Sequence, residues 1–253
     1  MLLGHVTPAI VLRAWPFGES DKIVCFLTEE NGKITGIAKG AKRSRRRFVN
    51  SLEPFSLVNL RFQDRAHSNL AFILASDLSF GFKYLLASLE KISFASYLVE
   101  ITDGLIGERE ENRLVFQHLK DSLIYLEEQP ASLMFLTAFE LKLLRLVGYQ
   151  PLLDKCRRCG RERQEVARWH FSLRDGGLLC GFCSTLRKEI FPVSKATLDW
   201  LIDLQEENSV PSCNVLPSNS VLEEIRSVMH RFLEFHMDRK IKSASFLHQF
   251  SSV

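Results

Sequence analysis

The sequence contains 253 residues, of which 46% are hydrophobic, and its formal net charge at pH 7 is +3. That length and apolar content are sufficient for one large domain or two, with real hydrophobic cores. No apolar run reaches the length of a membrane span and residues 1–30 contain no signal segment, so we expect a cytoplasmic protein that makes no membrane contact.

The small net charge hides an uneven distribution. Residues 1–76 carry eleven Lys and Arg against six Asp and Glu, and residues 151–190 carry nine against five. The remaining segments have a net charge of −6. Positive charge is therefore concentrated in two blocks, a pattern that favours an acidic partner.

The first block coincides with a stretch that is rich in short strands. Asn31-Gly32 is a strong hairpin signal and joins two of them. About seventy-five residues without a helical pattern favour a five-stranded barrel of the OB type over residues 1–80, although a small SH3-like barrel or an open meander would have a similar sequence. The predicted strands are Ala9–Ala14, Lys22–Thr28, Lys33–Lys39, Phe55–Gln63 and Leu70–Ser76.

A run of basic residues lies between the third and fourth predicted strands. It has no acidic residue within it, and its arginines can bind phosphate oxygens in a bidentate manner. We predict that it contacts the phosphate backbone of a nucleic acid; a solvated loop and a localisation signal are the alternatives. The predicted nucleic-acid-binding residues are Lys39, Lys42, Arg43, Arg45, Arg46 and Arg47. Five aromatic residues could supply a stacking face, but we expect most of them to belong to the core: Phe17, Phe26, Phe48, Phe55 and Phe62.

From residue 82 the hydrophobic period becomes helical, so the predicted fold class is α+β, with an α-helical domain over residues 81–253. A capping box, Ser220 with Glu223, is expected to start the last helix. The predicted helices are 82–104, Asn112–Gln129, Ala131–Val147, Ser194–Gln205 and Val221–Lys240.

The helical domain is interrupted at about residues 152–190 by four cysteines in two C-x2-C pairs: Cys156, Cys159, Cys180 and Cys183. This spacing predicts one structural zinc per chain, because four thiolates close the tetrahedral shell and leave no open position for catalysis. Two unrelated pairs of buried or disulfide-bonded cysteines are the alternative. Cys25 and Cys213 are expected to be reduced thiols.

Motifs of catalysis are absent from the sequence. It contains no HExxH, GxSxG or GxGxxG, and His170 lacks the glutamate of a zinc deaminase. Arg226, His230 and Glu234 share one helix face, which is more typical of a solvated stripe than of an acid–base pair. We therefore expect a protein that is not an enzyme.

The ordered segments along the chain resemble the RecO family of bacterial recombination mediators over nearly the whole length. The segments that carry this resemblance are Gly18–Val24, Leu27–Lys33, Ala38–Arg43, Leu52–Phe55, Phe139–Leu144, Leu146–Pro151, Gly176–Cys180 and Arg239–Ser243.

The resemblance implies an N-terminal OB domain, a helical domain and, as in many members, a four-cysteine zinc site. It also implies binding of single- and double-stranded DNA without sequence preference, strand annealing, and loading of RecA onto DNA coated by single-strand-binding protein, with RecR as the partner. The C-terminal tail of single-strand-binding protein is acidic and ends in an aromatic residue. We expect it to bind the helical domain, where Lys142, Arg145 or residues near Arg157 could surround an apolar pocket.

Two other functions fit parts of the sequence. The charges and cysteines would also suit a zinc-ribbon RNA-binding or transcription-associated factor. A metal-dependent nuclease would require clustered carboxylates on the basic surface, and the sequence shows no such cluster.

Overall fold

A computed structural model describes residues 4–166, 168–185, 187–207 and 217–250. The chain divides into two compact units, one formed by Met1–Pro130 with Ser243–Val253 and the other by Ala131–Lys242. The division into an OB-fold domain at residues 1–80 and a helical domain at residues 81–253 stays a prediction.

The first unit contains a closed five-stranded barrel, which confirms the predicted fold class. Its strands are β1 (His5–Phe17), β2 (Asp21–Thr28), β3 (Lys33–Ala38), β4 (Leu57–Gln63) and β5 (Ala71–Phe80), in the order β1-β2-β3-β5-β4. Only the β3–β5 pair is parallel. A barrel of five strands with a short closing pair, here Gly36 with Ala71 and Ile37 with Phe72, is consistent with the OB fold.

The length of β1 and the absence of a side chain at Gly36 allow the barrel to close. Residues His5–Ile10 of β1 pair with β4, and β1 shifts register between Val11 and Arg13 along its pairing with β2. On the opposite side β3 pairs with β5, and a Cβ atom at Gly36 would lie 2.4 Å from Ile73 Cδ1. A larger residue at position 36 would therefore require the buried Ile73 side chain or the β3–β5 pairing to shift.

The described residues contain helices in both units. α1 (Leu89–Leu105) begins later than predicted, because the backbone N–H groups of Lys83, Tyr84 and Leu85 donate to the Glu127 carboxylate in a turn instead. The other helices are α2 (Arg113–Glu128), α3 (Leu133–Leu146), α4 (Lys195–Glu207), α5 (Asn219–Met237) and α6 (Ala244–Phe250). No helix within the described ranges combines the length and the hydrophobicity that a membrane span requires.

The second unit packs α3, α4 and α5 together with a small antiparallel sheet that the sequence did not predict. Its strands are β6 (Trp169–Ser172), β7 (Gly177–Cys180) and β8 (Ile190–Val193), in the order β7-β6-β8. The predicted capping box at Ser220 is wrong: α5 begins at Asn219, and Ser218 is its N-cap residue.

A buried carboxylate joins α1 to the barrel inside the first unit. Asp103 is only 3% exposed. Its carboxylate lies 3.2 Å from Lys33 Nζ of β3 and 3.1 Å from an Arg13 guanidinium nitrogen of β1. Lys33 also donates to the Asp103 carbonyl oxygen at 2.7 Å. Because a buried charge is costly without a partner, these contacts fix the end of α1 against the outer surface of the barrel.

We expect Asp103→Ala to destabilise the first unit by about 3–5 kcal/mol, because it leaves the buried Lys33 ammonium uncompensated. Native-state hydrogen exchange of the barrel amides in the full chain measures this loss separately from the second unit. Arg113→Ala is the control, since it breaks an exposed pair with Glu29 and should cost less than about 1 kcal/mol. Equal losses for the two variants would contradict the role given to Asp103.

Candidate nucleic-acid interface and metal centre

The predicted DNA-binding residues lie on one connection of the barrel, the basic loop, defined as residues 39–47 between β3 and β4. Gly40 adopts a left-handed conformation with φ of 67°, and a single 3-10 turn follows at Ala41–Arg43. All six basic side chains of the loop, those of Lys39, Lys42, Arg43, Arg45, Arg46 and Arg47, are exposed.

The basic loop is anchored to the turn between β1 and β2. The backbone N–H of Gly40 donates to Asp21 Oδ1 at 2.8 Å, and that of Lys42 donates to the Ser20 carbonyl at 2.9 Å. Lys42 Nζ donates to the Gly18 carbonyl at 2.7 Å. Residues 18–20 and 39–47 therefore form one continuous surface at one end of the barrel, the loop–turn edge.

The far end of the basic loop is also held. The Arg47 guanidinium donates to the Lys39 carbonyl at 2.9 Å, and the Arg47 carbonyl accepts from Ser76 N at 2.9 Å. The same guanidinium lies 5.0 Å from the ring of Phe48, which is buried. The cations are therefore displayed from a fixed backbone.

One carboxylate, that of Asp21, lies near the basic loop and is outnumbered by the six cations of the loop. Among the described residues, none of its six basic side chains takes part in an ion pair, and the side chains of Lys42 and Arg47 donate to carbonyl oxygens. The hydrogen bond from Gly40 N, followed by that from Ser20 and by the nearby lysines, lowers the pKa of Asp21. Asp21 therefore stays ionised, and its hydrogen bonds hold the loop in place.

The second basic block is different, because several of its arginines have acidic partners. In the second unit Arg158 lies 3.1 Å from Asp175 and Arg163 lies 2.6 Å from Asp199. Arg174 is paired with Glu189 at 3.7 Å. The basic loop consequently offers more uncompensated positive charge than these residues do.

Most of the five phenylalanines that could supply a stacking face lie in the core, as expected. Of the five phenylalanines, only Phe17 is exposed, and the others belong to buried positions: Phe26, Phe48, Phe55 and Phe62. Trp15, which sequence reasoning did not single out, is exposed near Phe17 on the same strand. The first strand was predicted to end at Ala14, whereas β1 extends to Phe17, so Trp15 lay outside the predicted strand.

The four cysteines of the two C-x2-C pairs come together in the second unit. Gly160 N donates to the Cys156 carbonyl at 2.9 Å in the first turn, and Ser184 N donates to the Cys180 carbonyl at 3.0 Å in the second. A Cβ atom at Gly177 would lie 2.4 Å from the Leu152 carbonyl oxygen. Glycine there lets the segment before the first turn pack directly on β7.

The sulfur atoms have the spacing of a metal–thiolate centre. All four lie within 4.8 Å of one another, and Cys159 Sγ is 3.7 Å from Cys180 Sγ. A tetrahedral ion with bonds of about 2.3 Å would place sulfurs about 3.8 Å apart. These residues could therefore hold one metal ion.

The electrostatics of the cluster also suit a cation. Burial opposes ionisation of Cys156, but hydrogen bonds from backbone N–H groups, those of Cys159 and Cys180 foremost, lower its pKa to about 6. Burial and hydrogen bonds with the other sulfurs raise the pKa of Cys183 to about 12. Four crowded thiolates repel one another, and a divalent cation would remove that conflict.

The remaining cysteines lie outside this cluster. Cys25 is buried in β2 as a free thiol, and burial together with the Asp103 carboxylate raises its pKa to about 11. Cys213 lies outside the described residues.

Two protein-family models together match nearly the whole chain. Residues 2–82 match the family model "Recombination protein O N terminal" and residues 86–245 match "Recombination protein O C terminal". The chain belongs to the RecO family. That membership gives it a role in DNA repair and recombination.

Relatives named DNA repair protein RecO cover nearly the whole chain. The protein of Syntrophus aciditrophicus is 33% identical over 96% of this chain and 95% of its own length. The proteins of Anaeromyxobacter dehalogenans and a Thermoanaerobacter species are 35% and 31% identical, over 94% and 98% of this chain and 93% and 98% of their own lengths.

The anchoring of the basic loop leads to a prediction about Asp21. Asp21→Ala should speed amide hydrogen exchange at Gly40, whereas Asp21→Asn, which keeps an acceptor oxygen, should have a smaller effect. Because the folded-state pKa of Asp21 is lowered, its contribution is complete above the ordinary value of 3.8 and is lost as the pH falls through the lowered value. Unchanged Gly40 exchange in the alanine variant would show that the loop is held by other contacts.

Proposed function

We propose that the chain is a non-enzymatic recombination mediator that binds single- and double-stranded DNA through the loop–turn edge without reading sequence. The observation that carries this proposal is the display, on a fixed edge of the barrel, of six exposed cations that form no ion pair with the described part of the chain. OB barrels bind oligonucleotides with, among other parts, the loop between their first two strands, and the turn at residues 18–20 occupies that position in this barrel.

Backbone contacts explain both the lack of sequence preference and annealing. Phosphate contacts position a protein on nucleic acid but carry no base information. A surface that neutralises the phosphates of two complementary strands also reduces their mutual repulsion, which favours pairing. The same contacts are available on single and double strands.

Family membership supports a place for the chain in recombinase loading. In this proposal it acts with RecR and helps RecA onto DNA that single-strand-binding protein coats, in the bacterial cytoplasm at the nucleoid. The second unit is the proposed surface for the acidic C-terminal tail of single-strand-binding protein, and the exposed Arg145 and half-buried Lys142 on α3 are candidate contacts.

The metal that we propose for the cysteine cluster is one structural zinc per chain, bound by Cys156, Cys159, Cys180 and Cys183. A closed set of four thiolates is typical of structural zinc, which stabilises a fold and takes no part in catalysis. Its binding energy would stabilise the second unit, since the short strands β6, β7 and β8 bury little surface of their own.

The basic loop gives the sharpest test of DNA binding. Changing Arg45, Arg46 and Arg47 together to Ala should flatten the slope of log K against log salt for single strands by about two units, since each phosphate contact contributes about 0.7. Titration of an oligothymidine between about 50 and 200 mM salt measures the slope. Affinity should fall equally on unrelated sequences.

The control for this triple variant removes the same charge elsewhere. Changing Arg158, Arg163 and Arg174 to Ala removes three cations that already have carboxylate partners. For this control we expect the slope of log K against log salt to change by less than about 0.7, which is the contribution of one phosphate contact. A wild-type slope in the loop variant, with full strand annealing, would mean that the basic loop is only solvated.

The zinc proposal predicts that Cys156→Ser lowers the zinc content of the purified full chain and the thermal stability of the second unit. The loss follows because a hydroxyl at this position cannot replace a thiolate ligand. Elemental analysis and thermal unfolding measure the two effects. Cys25→Ala is the matched control and should retain one zinc per chain; wild-type protein without zinc, or unfolding unaffected by a chelator, would refute the assignment.

A further inference from the structure

The outer surface of strands β1, β2 and β3 has one covered end. Arg13 is paired with Cys25 in the sheet, and Cys25 with Thr35 of β3. Asp103 of α1 lies over this end, where it contacts Arg13 and Lys33. The thiol of Cys25 lies 3.9 Å from the Asp103 carboxylate. Nucleic acid therefore cannot use this half of the strand surface.

The other end of the same surface carries two exposed aromatic rings. Side chains two residues apart on a strand point to the same side, so Arg13, Trp15 and Phe17 line one side of β1. Trp15 is 39% exposed and Phe17 is 50% exposed. The Arg13 guanidinium lies 5.9 Å from the centroid of the Trp15 ring.

These rings adjoin the basic loop. Phe17 is the last residue of β1 and directly precedes Gly18, whose carbonyl oxygen accepts from Lys42 Nζ. A ligand whose phosphates contact the basic loop would therefore have its next groups beside the ring of Phe17 and then that of Trp15. Polyanionic charge with flat apolar groups attached is the chemistry of a nucleic-acid strand with unpaired bases.

We propose that Trp15 and Phe17 form a stacking platform for unpaired DNA bases, and that this platform makes the chain bind single strands more tightly than duplexes. The inference rests on the proposed function, since the basic loop must first hold the phosphates. Bases in a duplex are stacked on their neighbours and are not available to a protein ring, whereas the phosphates of both forms are accessible. The loop thus binds either form, and the rings select the single strand.

The test compares the wild-type full chain with a double variant that carries both Trp15→Ala and Phe17→Ala. Binding to oligothymidine and to a duplex of the same length is measured at one salt concentration. We expect single-strand affinity to fall by at least about fivefold for each ring that stacks, and duplex affinity to stay within about twofold. The salt slope should stay as in the wild type, because no phosphate contact is removed.

A third probe isolates the bases. An oligonucleotide with abasic sites keeps its phosphates, so the wild type should bind it more weakly than oligothymidine and the double variant should bind the two alike. The single variant Trp15→Phe should bind single strands about as tightly as the wild type, because it keeps an aromatic ring at position 15. Phe246→Ala removes an exposed ring of α6 and should leave all three affinities unchanged.

The outcomes separate this inference from the proposed function. Equal loss on single strands and duplexes, or no loss on either, would overturn the stacking platform while leaving the basic loop as the DNA contact. A wild-type salt slope in the variant of Arg45, Arg46 and Arg47 would instead overturn the proposed function. If the double variant melts well below the wild type, Phe17→Ala alone, at the end of β1, repeats the comparison.

Discussion

The part of the barrel surface that stays accessible depends on the buried carboxylate of Asp103. A charge with 3% exposure requires close cationic partners, and Lys33 and Arg13 supply them from two different strands. This pairing holds the end of α1 over one half of the outer strand surface. The other half, which ends at the loop–turn edge, remains accessible, and it is there that the exposed cations and rings are found.

The basic side chains of the two blocks have different hydrogen-bond acceptors. In the second unit, Arg158 and Arg163 form ion pairs with carboxylates, and such pairs connect neighbouring segments. In the basic loop the side chains of Lys42 and Arg47 are instead held by carbonyl oxygens. Neutral acceptors fix geometry without cancelling charge, so the positive potential remains available to a polyanion.

The sequence predicted the features that depend on local chemistry. Asn31-Gly32 correctly marked the β2–β3 hairpin, where Gly32 has a φ of 66°, and the C-x2-C spacing located the cysteine cluster. Features set by distant contacts were missed: Asp21 and Gly40 are nineteen residues apart, and the exposure of Trp15 beside Phe17 was not predicted. The short strands β6–β8 carry too little periodicity to be recognised.

The most direct test of the account is to map where single-stranded DNA touches the full chain. An oligonucleotide containing a photoreactive thymine analogue would be crosslinked to the protein, and the attached peptides identified by mass spectrometry. The account predicts that crosslinks concentrate in residues 15–20 and 39–47. Crosslinks confined to the second unit, with none at these two segments, would contradict it.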